Sequence, residues 1–172
     1  GNFREADLLR DAPGLARADW YGATWPPTLV TRRWWFRVGG YSTELSPGMS
    51  SDDDFLMKLW LVGCRSYRVI GSSVVYHFAC KSTNKVRRNE GGREFLLKWG
   101  ISQRAFKRSC IARTALADVG SLPSVPAATW KCRVKRVLHA AAGYPLADLR
   151  AWETDLAARL TSQAQQLPGS EA

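Results

Sequence analysis

Pro47-Gly48-Met49-Ser50-Ser51-Asp52-Asp53-Asp54-Phe55-Leu56-Met57-Lys58-Leu59-Trp60-Leu61-Val62-Gly63 is the stretch around which the rest of this chain arranges itself. It reads as a turn, a helix start crowded with carboxylates, an almost wholly apolar helix, and a stop. Ser51 is placed to act as N-cap for the orphan amides of the first turn. Asp54, three residues on, is placed to close a capping box back onto it. Gly63 supplies the left-handed residue that commonly ends a helix. Lys58 is the only charge in between, which predicts that most of the helix surface is buried. Three acids at the positive end of a buried helix face the interior or a cleft, and chemistry becomes possible there.

Capping accounts for part of this pattern. An acid in a first helical turn complements the macrodipole by ~0.3–1 kcal/mol, and Asp54 with Lys58 makes an i,i+4 pair. Three acids in a row exceed what capping needs, because like charges raise one another's pKa. A metal ion, a cationic ligand or a proton-transfer role would relieve that conflict.

Working outward, the 172 residues suffice for one domain with a core, and 45% hydrophobic content is globular rather than disordered. Eight tryptophans, among them Trp34-Trp35 and Trp25-Pro26-Pro27, predict dense packing or a stacking surface. A formal charge of +10 with pI near 9.9 implies affinity for anions, whether nucleotides, diphosphates, nucleic acid or an acidic membrane face. Cys64, Cys80, Cys110 and Cys132 have neither CxxC pairing nor matching histidines, which argues against zinc. They read as reduced thiols of a cytoplasmic protein. No apolar run reaches the length of a membrane span. The start at Gly-Asn-Phe, quickly entering structure, suggests that a portion upstream is missing.

Upstream of the acids, Phe3, Leu8, Leu9 and Leu15 outline a short amphipathic helix interrupted by Pro13-Gly14. Trp20 to Pro27 is a rigid aromatic loop, Thr28-Leu29-Val30 a short strand, and Arg32 to Phe36 a helical turn broken by Gly39-Gly40. Downstream, Arg65 to Val69 alternates like a half-buried strand, and Ser73 to Phe78 is a second strand that includes His77. Lys81 to Gly92 is a basic, glycine-ended loop, either a lid or a solvated segment. Phe95, Leu96 and Trp99 predict a helix closed by Gly100, and Ser102 opens another. Three segments follow: a body over 1–116, a linker over 117–129 and a basic helical extension over 130–172. In the extension Trp130, Val134, Val137, Leu138 and Ala141 share one side of a helix. The last ten residues read as frayed.

Trp25-Pro26-Pro27, Val38-Gly39-Gly40-Tyr41, Ser50-Ser51-Asp52-Asp53-Asp54, Val75-Tyr76-His77-Phe78 and Lys98-Trp99-Gly100 occur in that order. In this ordered set the chain resembles family 2 glycosyltransferases, through roughly residues 20–108. These are GT-A fold enzymes that pass a sugar from a nucleotide-sugar to an acceptor hydroxyl. The resemblance implies an α/β fold, a partial GT-A domain with a mixed sheet and C-terminal helices. Counting back from Gly63, Asp52 falls on the family's catalytic base and Asp54 on the motif's later aspartate, while Ser51 replaces the usual glutamate. That departure leaves the choice of base among Asp52, Asp53 and Asp54 open. His77 takes the place of a histidine that helps hold a metal, Mn²⁺ or Mg²⁺, or the diphosphate. The Gln-x-x-Arg-Trp element of processive members is replaced by Phe95-Leu96-Leu97-Lys98-Trp99, so the resemblance implies a non-processive transferase, and the family reading as a whole an inverting one.

Asp52-Asp53-Asp54 also matches the Asp-x-Asp motif that binds the nucleotide-sugar's metal, but that motif follows a buried apolar strand. Here a Pro-Gly-Met-Ser-Ser loop precedes and a helix follows, so the triplet is assigned to the acceptor side. The nucleotide-binding half is then absent, and the chain is a fragment expected to be inactive alone. On this reading Asp53, Lys81, Lys85, Arg87 and Arg88 bind substrate, the four basic residues by closing over the diphosphate, and Trp25 stacks on a sugar. A solvated basic loop and a core tryptophan are the alternatives for those residues. Partners are a nucleotide-sugar donor and a saccharide or lipid-linked acceptor, with peripheral membrane contact through 130–162 at the inner face. No nucleic acid is expected, since no recognisable motif for it occurs. The rival class is a basic nucleic-acid-binding or membrane-docking module without catalysis.

Overall fold

The computed structural model describes residues 3–22, 27–45, 49–76, 90–111 and 128–144. Helix α1 covers Glu5–Leu15, strand β1 Trp20–Tyr21, and helix α2 Arg32–Val38. After a 3₁₀ turn at Thr43–Leu45 come helix α3 at Ser51–Leu61 and strand β2 at Arg68–Val69. Helices α4 (Gly91–Trp99), α5 (Gln103–Cys110) and α6 (Trp130–Ala141) complete the described chain.

Helix α3 is the centre of the core. Every residue from Asp53 to Trp60 is buried, as a lone charge in an apolar run requires. Phe55, Leu56, Leu59 and Trp60 pack with Tyr21, Tyr67, Phe95, Ile101 and Phe106, and each large side chain so buried contributes ~1.5–3 kcal/mol. The helix stops where expected. Gly63 has φ 94°, its amide reaches the Trp60 carbonyl at 3.1 Å, and the Cys64 amide reaches Leu59 at 2.9 Å. Those two bonds are a Schellman termination.

The start of α3 differs from the expected capping box. Ser51 is the first helical residue, and the N-cap is Ser50, in the left-handed region at φ 72° and without a side-chain cap. Asp54 turns its carboxylate away from the helix start toward interior cations, which bind it more strongly than a backbone amide would. The first residue of α4 closes over this start. A Cβ on Gly91 would stand 2.3 Å from the Met49 carbonyl oxygen.

The sheet is smaller than the mixed sheet expected. Among the described residues it is a two-stranded antiparallel ribbon, Trp20 opposite Val69 and Tyr21 opposite Arg68. Bonds from the Gly22 amide to Tyr67 and from the Arg17 amide to Gly71, both 2.9 Å, extend the contact. Asp19 pins it by accepting from Arg68 Nη2 at 2.5 Å and from the Gly71 amide at 2.8 Å. The strand expected at 28–30 does not form: among the described residues no strand pairs with it, and Leu29 is 91% exposed. Residues 73–76 likewise carry no strand, and His77 and Phe78 lie outside the described residues.

The later helices follow their punctuation. Gly100 ends α4 at φ 68°, and the Ser102 hydroxyl accepts the Ala105 amide at 3.2 Å to open α5. Helix α6 packs on α4, with Cys132 buried and Arg136 Nε donating to the Leu97 carbonyl at 3.1 Å. Most of the expected linker, residues 117–127, lies outside the described residues, as does 145–162. Cys64, Cys110 and Cys132 are buried free thiols. Among the described residues no helix is long and apolar enough to cross a membrane.

Two glycines separate close packing from mere helix propensity. Gly91→Ala forces a Cβ into the Met49 backbone and is expected to destabilise by roughly 2 kcal/mol or more. Gly14→Ala, in open space within α1, is expected to be neutral or to stabilise by ~0.5–1 kcal/mol. Urea midpoints of the two variants check this, and equal effects would show that α4 does not rest on the start of α3.

Candidate functional site

The Gly39-Gly40 turn builds one wall of the site. Both glycines have positive φ, 72° and 67°, and a Cβ on Gly40 would stand 2.7 Å from the Trp35 ring. The reversal delivers Tyr41 and Ser42 to the start of α3. Tyr41 is held between Trp35 and Phe55, with ring centroids at 5.6 and 5.0 Å. Its hydroxyl hydrogen-bonds to the Asp52 carboxylate. Burial and the neighbouring Asp52 charge both raise the Tyr41 pKa, which keeps the phenol protonated as a donor.

The three consecutive acids occupy three different environments. Asp54 is fully buried. Its Oδ1 accepts from Trp99 Nε1 and faces Lys98 Nζ, both at 2.9 Å. Its Oδ2 accepts from Ser42 Oγ at 2.5 Å and faces Lys58 Nζ at 3.6 Å. Lys58 also donates to the Gly40 carbonyl at 2.5 Å and to Ser42 Oγ at 2.9 Å. Lys98 also donates to Ser42 Oγ at 3.1 Å and to Glu44 Oε1 at 2.5 Å. Burial pushes the Lys58 ammonium down, and the Asp54 charge works against that shift. Glu44 is pushed up by burial, but its bonds to Lys98 and to its own backbone amide, together with the Lys98 and Lys58 charges, outweigh this and leave it below the ordinary value. With no exposure, Asp54 is a positioning residue that cannot touch a substrate.

Asp53, also buried, is committed to α5. It accepts from Gln103 Nε2 and faces Lys107 Nζ at 2.9 Å. Asp52 is the remaining acid. It is partly exposed, and among the described residues no cation lies within ion-pair distance of it. Burial raises its pKa, the neighbouring Asp53 raises it further, and Tyr41 and Lys107 only partly oppose them. A carboxylate held reluctantly ionised, open to solvent and aimed by a phenol has the properties of a proton acceptor.

Asp52, Asp53 and Asp54 thus lie together, while Trp25, His77, Lys81, Lys85, Arg87 and Arg88 lie outside the described residues. Among the described residues no three His, Cys, Asp or Glu side chains gather to hold a metal. Asp53 and Asp54 already neutralise lysines, so these acids do not fit a site for the expected Mn²⁺ or Mg²⁺ by themselves. Sequence reasoning missed Tyr41, Glu44, Gln103 and Lys107 as partners, and it assigned Lys98 no role at Asp54. The signal for Lys98 was available, since it is a single charge inside Phe95-Leu96-Leu97-Lys98-Trp99, as Lys58 is inside α3.

A cleft of about 640 Å³ is lined by apolar side chains, among them Trp20, Trp34, Leu56 and Val75, and by the polar Thr28, Thr31 and Arg68. None of the three acids borders it, and Thr28, which bonds to Tyr41, links it to the site. Comparison with family models, with curated proteins and with solved structures finds no match to this chain.

Asp54→Asn leaves buried Lys58 without its carboxylate partner and Lys98 with Glu44 in place of two carboxylates, and is expected to cost ~3–5 kcal/mol. Asp53→Asn, whose partner Lys107 is 45% exposed and can rehydrate, is expected to cost no more than about 1 kcal/mol. Chemical denaturation of both variants reads the difference, and similar losses would remove the distinction. For Asp52 a pH-dependent effect is expected. Its folded-state pKa is raised, so the folded chain binds that proton more tightly than the unfolded chain. The cost is absent where both states are protonated, grows as pH rises through the unfolded value, and is complete above the folded one. Asp52→Asn is therefore expected to raise Tm at neutral pH, with the gain vanishing below about pH 3, under the ordinary Asp value. A gain independent of pH would assign the effect to packing.

Proposed function

We propose that this chain is the acceptor-side half of a family 2-like, inverting, non-processive glycosyltransferase, with Asp52 as the general base. The observation that carries the reading is the division of labour within the triplet. Two acids are neutralised by lysines, and the third is left partly exposed with a raised pKa and a phenol aimed at it. A sugar hydroxyl is a poor nucleophile at neutral pH, and a positioned carboxylate that takes its proton contributes ~10²–10⁴ in rate.

In the proposed step the acceptor hydroxyl gives its proton to Asp52. Its oxygen attacks the anomeric carbon from the face opposite the leaving group. The bond from that carbon to the diphosphate oxygen breaks, and the diphosphate leaves with the electron pair, so the configuration inverts. Tyr41 orients Asp52, and Asp54 fixes the helix that carries it. The half-exposed rings of Trp35 and Tyr41 supply an aromatic wall beside Asp52, suited to the apolar face of a saccharide. Lys81, Lys85, Arg87 and Arg88 are proposed to stabilise the departing diphosphate. The cleft beside β2, with its mixed lining, is on this reading the surface against which the nucleotide-binding half packs.

The test is nucleoside diphosphate release from a panel of nucleotide-sugars, by the chain expressed together with its upstream coding sequence. Asp52→Asn is expected to lower kcat by ~10²–10⁴ with the fold intact by circular dichroism. The acidic limb of the wild-type profile should lie above the ordinary carboxylate value of about 4. Unchanged turnover in Asp52→Asn would remove Asp52 as the base, and absence of turnover on every donor would remove the transferase reading.

A further inference from the structure

Helix α6 is attached by one face and apolar on the opposite one. At about 100° per residue, Cys132, Arg136 and His139 share a side. Cys132 is buried, Arg136 bonds to Leu97 of α4, and His139 packs edge-on to Tyr144 at 5.8 Å. Diametrically across the helix stand Trp130, Val134, Val137 and Leu138, which are 69%, 47%, 66% and 62% exposed. Sequence periodicity places these residues together, and the structure turns them to solvent rather than to the core. Lys131, Arg133 and Lys135, all exposed, flank the stripe. No Asp or Glu occurs from residue 128 to 144.

We infer that this face of α6 lies in the interface of an anionic lipid bilayer. The 12 residues of the helix extend about 18 Å, too short to span a bilayer but suited to lying in its plane. An apolar stripe with tryptophan at its end sinks below the headgroups, where an amphipathic ring is favoured. Cations on both flanks meet acidic headgroups, which complement a chain of net charge +10. A nucleic acid would use the cations and leave the apolar stripe in water. A second copy of the chain would bring Lys131, Arg133 and Lys135 up against the same cations of its partner. The bilayer alone satisfies both features, and the inference stands independently of the glycosyltransferase proposal.

The experiment is co-sedimentation of the full chain with vesicles of phosphatidylcholine alone, or with one part phosphatidylglycerol to two parts phosphatidylcholine. Wild type is expected to partition at least about tenfold more strongly onto the anionic vesicles, weakening with added salt. The double variant Val137→Glu/Leu138→Glu, on the solvent face and so without effect on folding by circular dichroism, is expected to lose most binding. Lys131→Glu/Lys135→Glu is expected to lose the preference for anionic lipid. Equal partitioning of wild type and the Val137→Glu/Leu138→Glu variant would overturn the inference. So would a dimer in light scattering that this variant dissolves without any vesicle binding, or retention by RNA that it leaves unchanged.

Discussion

Asp54 can be charged inside the protein only because every one of its neighbours is committed to it. Ser42 makes the point most economically. A hydroxyl has one proton and two lone pairs; here the proton goes to Asp54 and the lone pairs receive Lys58 and Lys98. Lys98 in turn spends its three donors on Ser42, Glu44 and Asp54. Buried ions cost several kcal/mol each unless fully partnered, and a saturated network is the condition under which they are tolerated. The Gly39-Gly40 turn, the 3₁₀ turn, α3 and α4 each supply members, so their mutual placement is fixed by one charge balance.

Asp52 inherits its setting from that balance. Two residues before Asp54 on the same helix, it cannot move without moving the network. Tyr41, which aims it, follows directly on Gly40, whose carbonyl Lys58 holds. The interior thus carries the electrostatic cost of three adjacent acids unevenly. Asp54 and Asp53 take the lysines, and Asp52 is left with the residual repulsion and partial burial that raise its pKa. A rigid helix end bearing one reluctant carboxylate is the pre-organisation a proton acceptor needs.

Much of this was readable in advance, and the limits are physical. Lys58 alone in an apolar run announced a buried helix, and Gly63, Gly100 and Ser102 marked boundaries where they occur, because these signals are local. Trp99 lies 45 positions from the carboxylate it bonds, and no helical spacing rule reaches that far. The capping box at Ser51 failed because local hydrogen bonding lost to tertiary ion pairing at Asp54. Thr28-Leu29-Val30 has strand-forming residues but no partner strand among the described residues, and β-propensity expresses packing context more than backbone preference. In α6 periodicity gave the grouping of the apolar residues correctly. It could not say which side would face the protein.

The attachment of α6 fixes an orientation. Arg136 holds the helix to α4 on the side opposite its apolar stripe, and α4 reaches α3 through Lys98 and Trp99. Whatever surface receives the stripe would therefore lie on the far side of α6 from the charge network, with α6 and α4 interposed along that line of contacts. A push or pull on the stripe would reach Asp54 through Arg136, the α4 backbone and Lys98, so docking at α6 and the placement of the acids are mechanically joined.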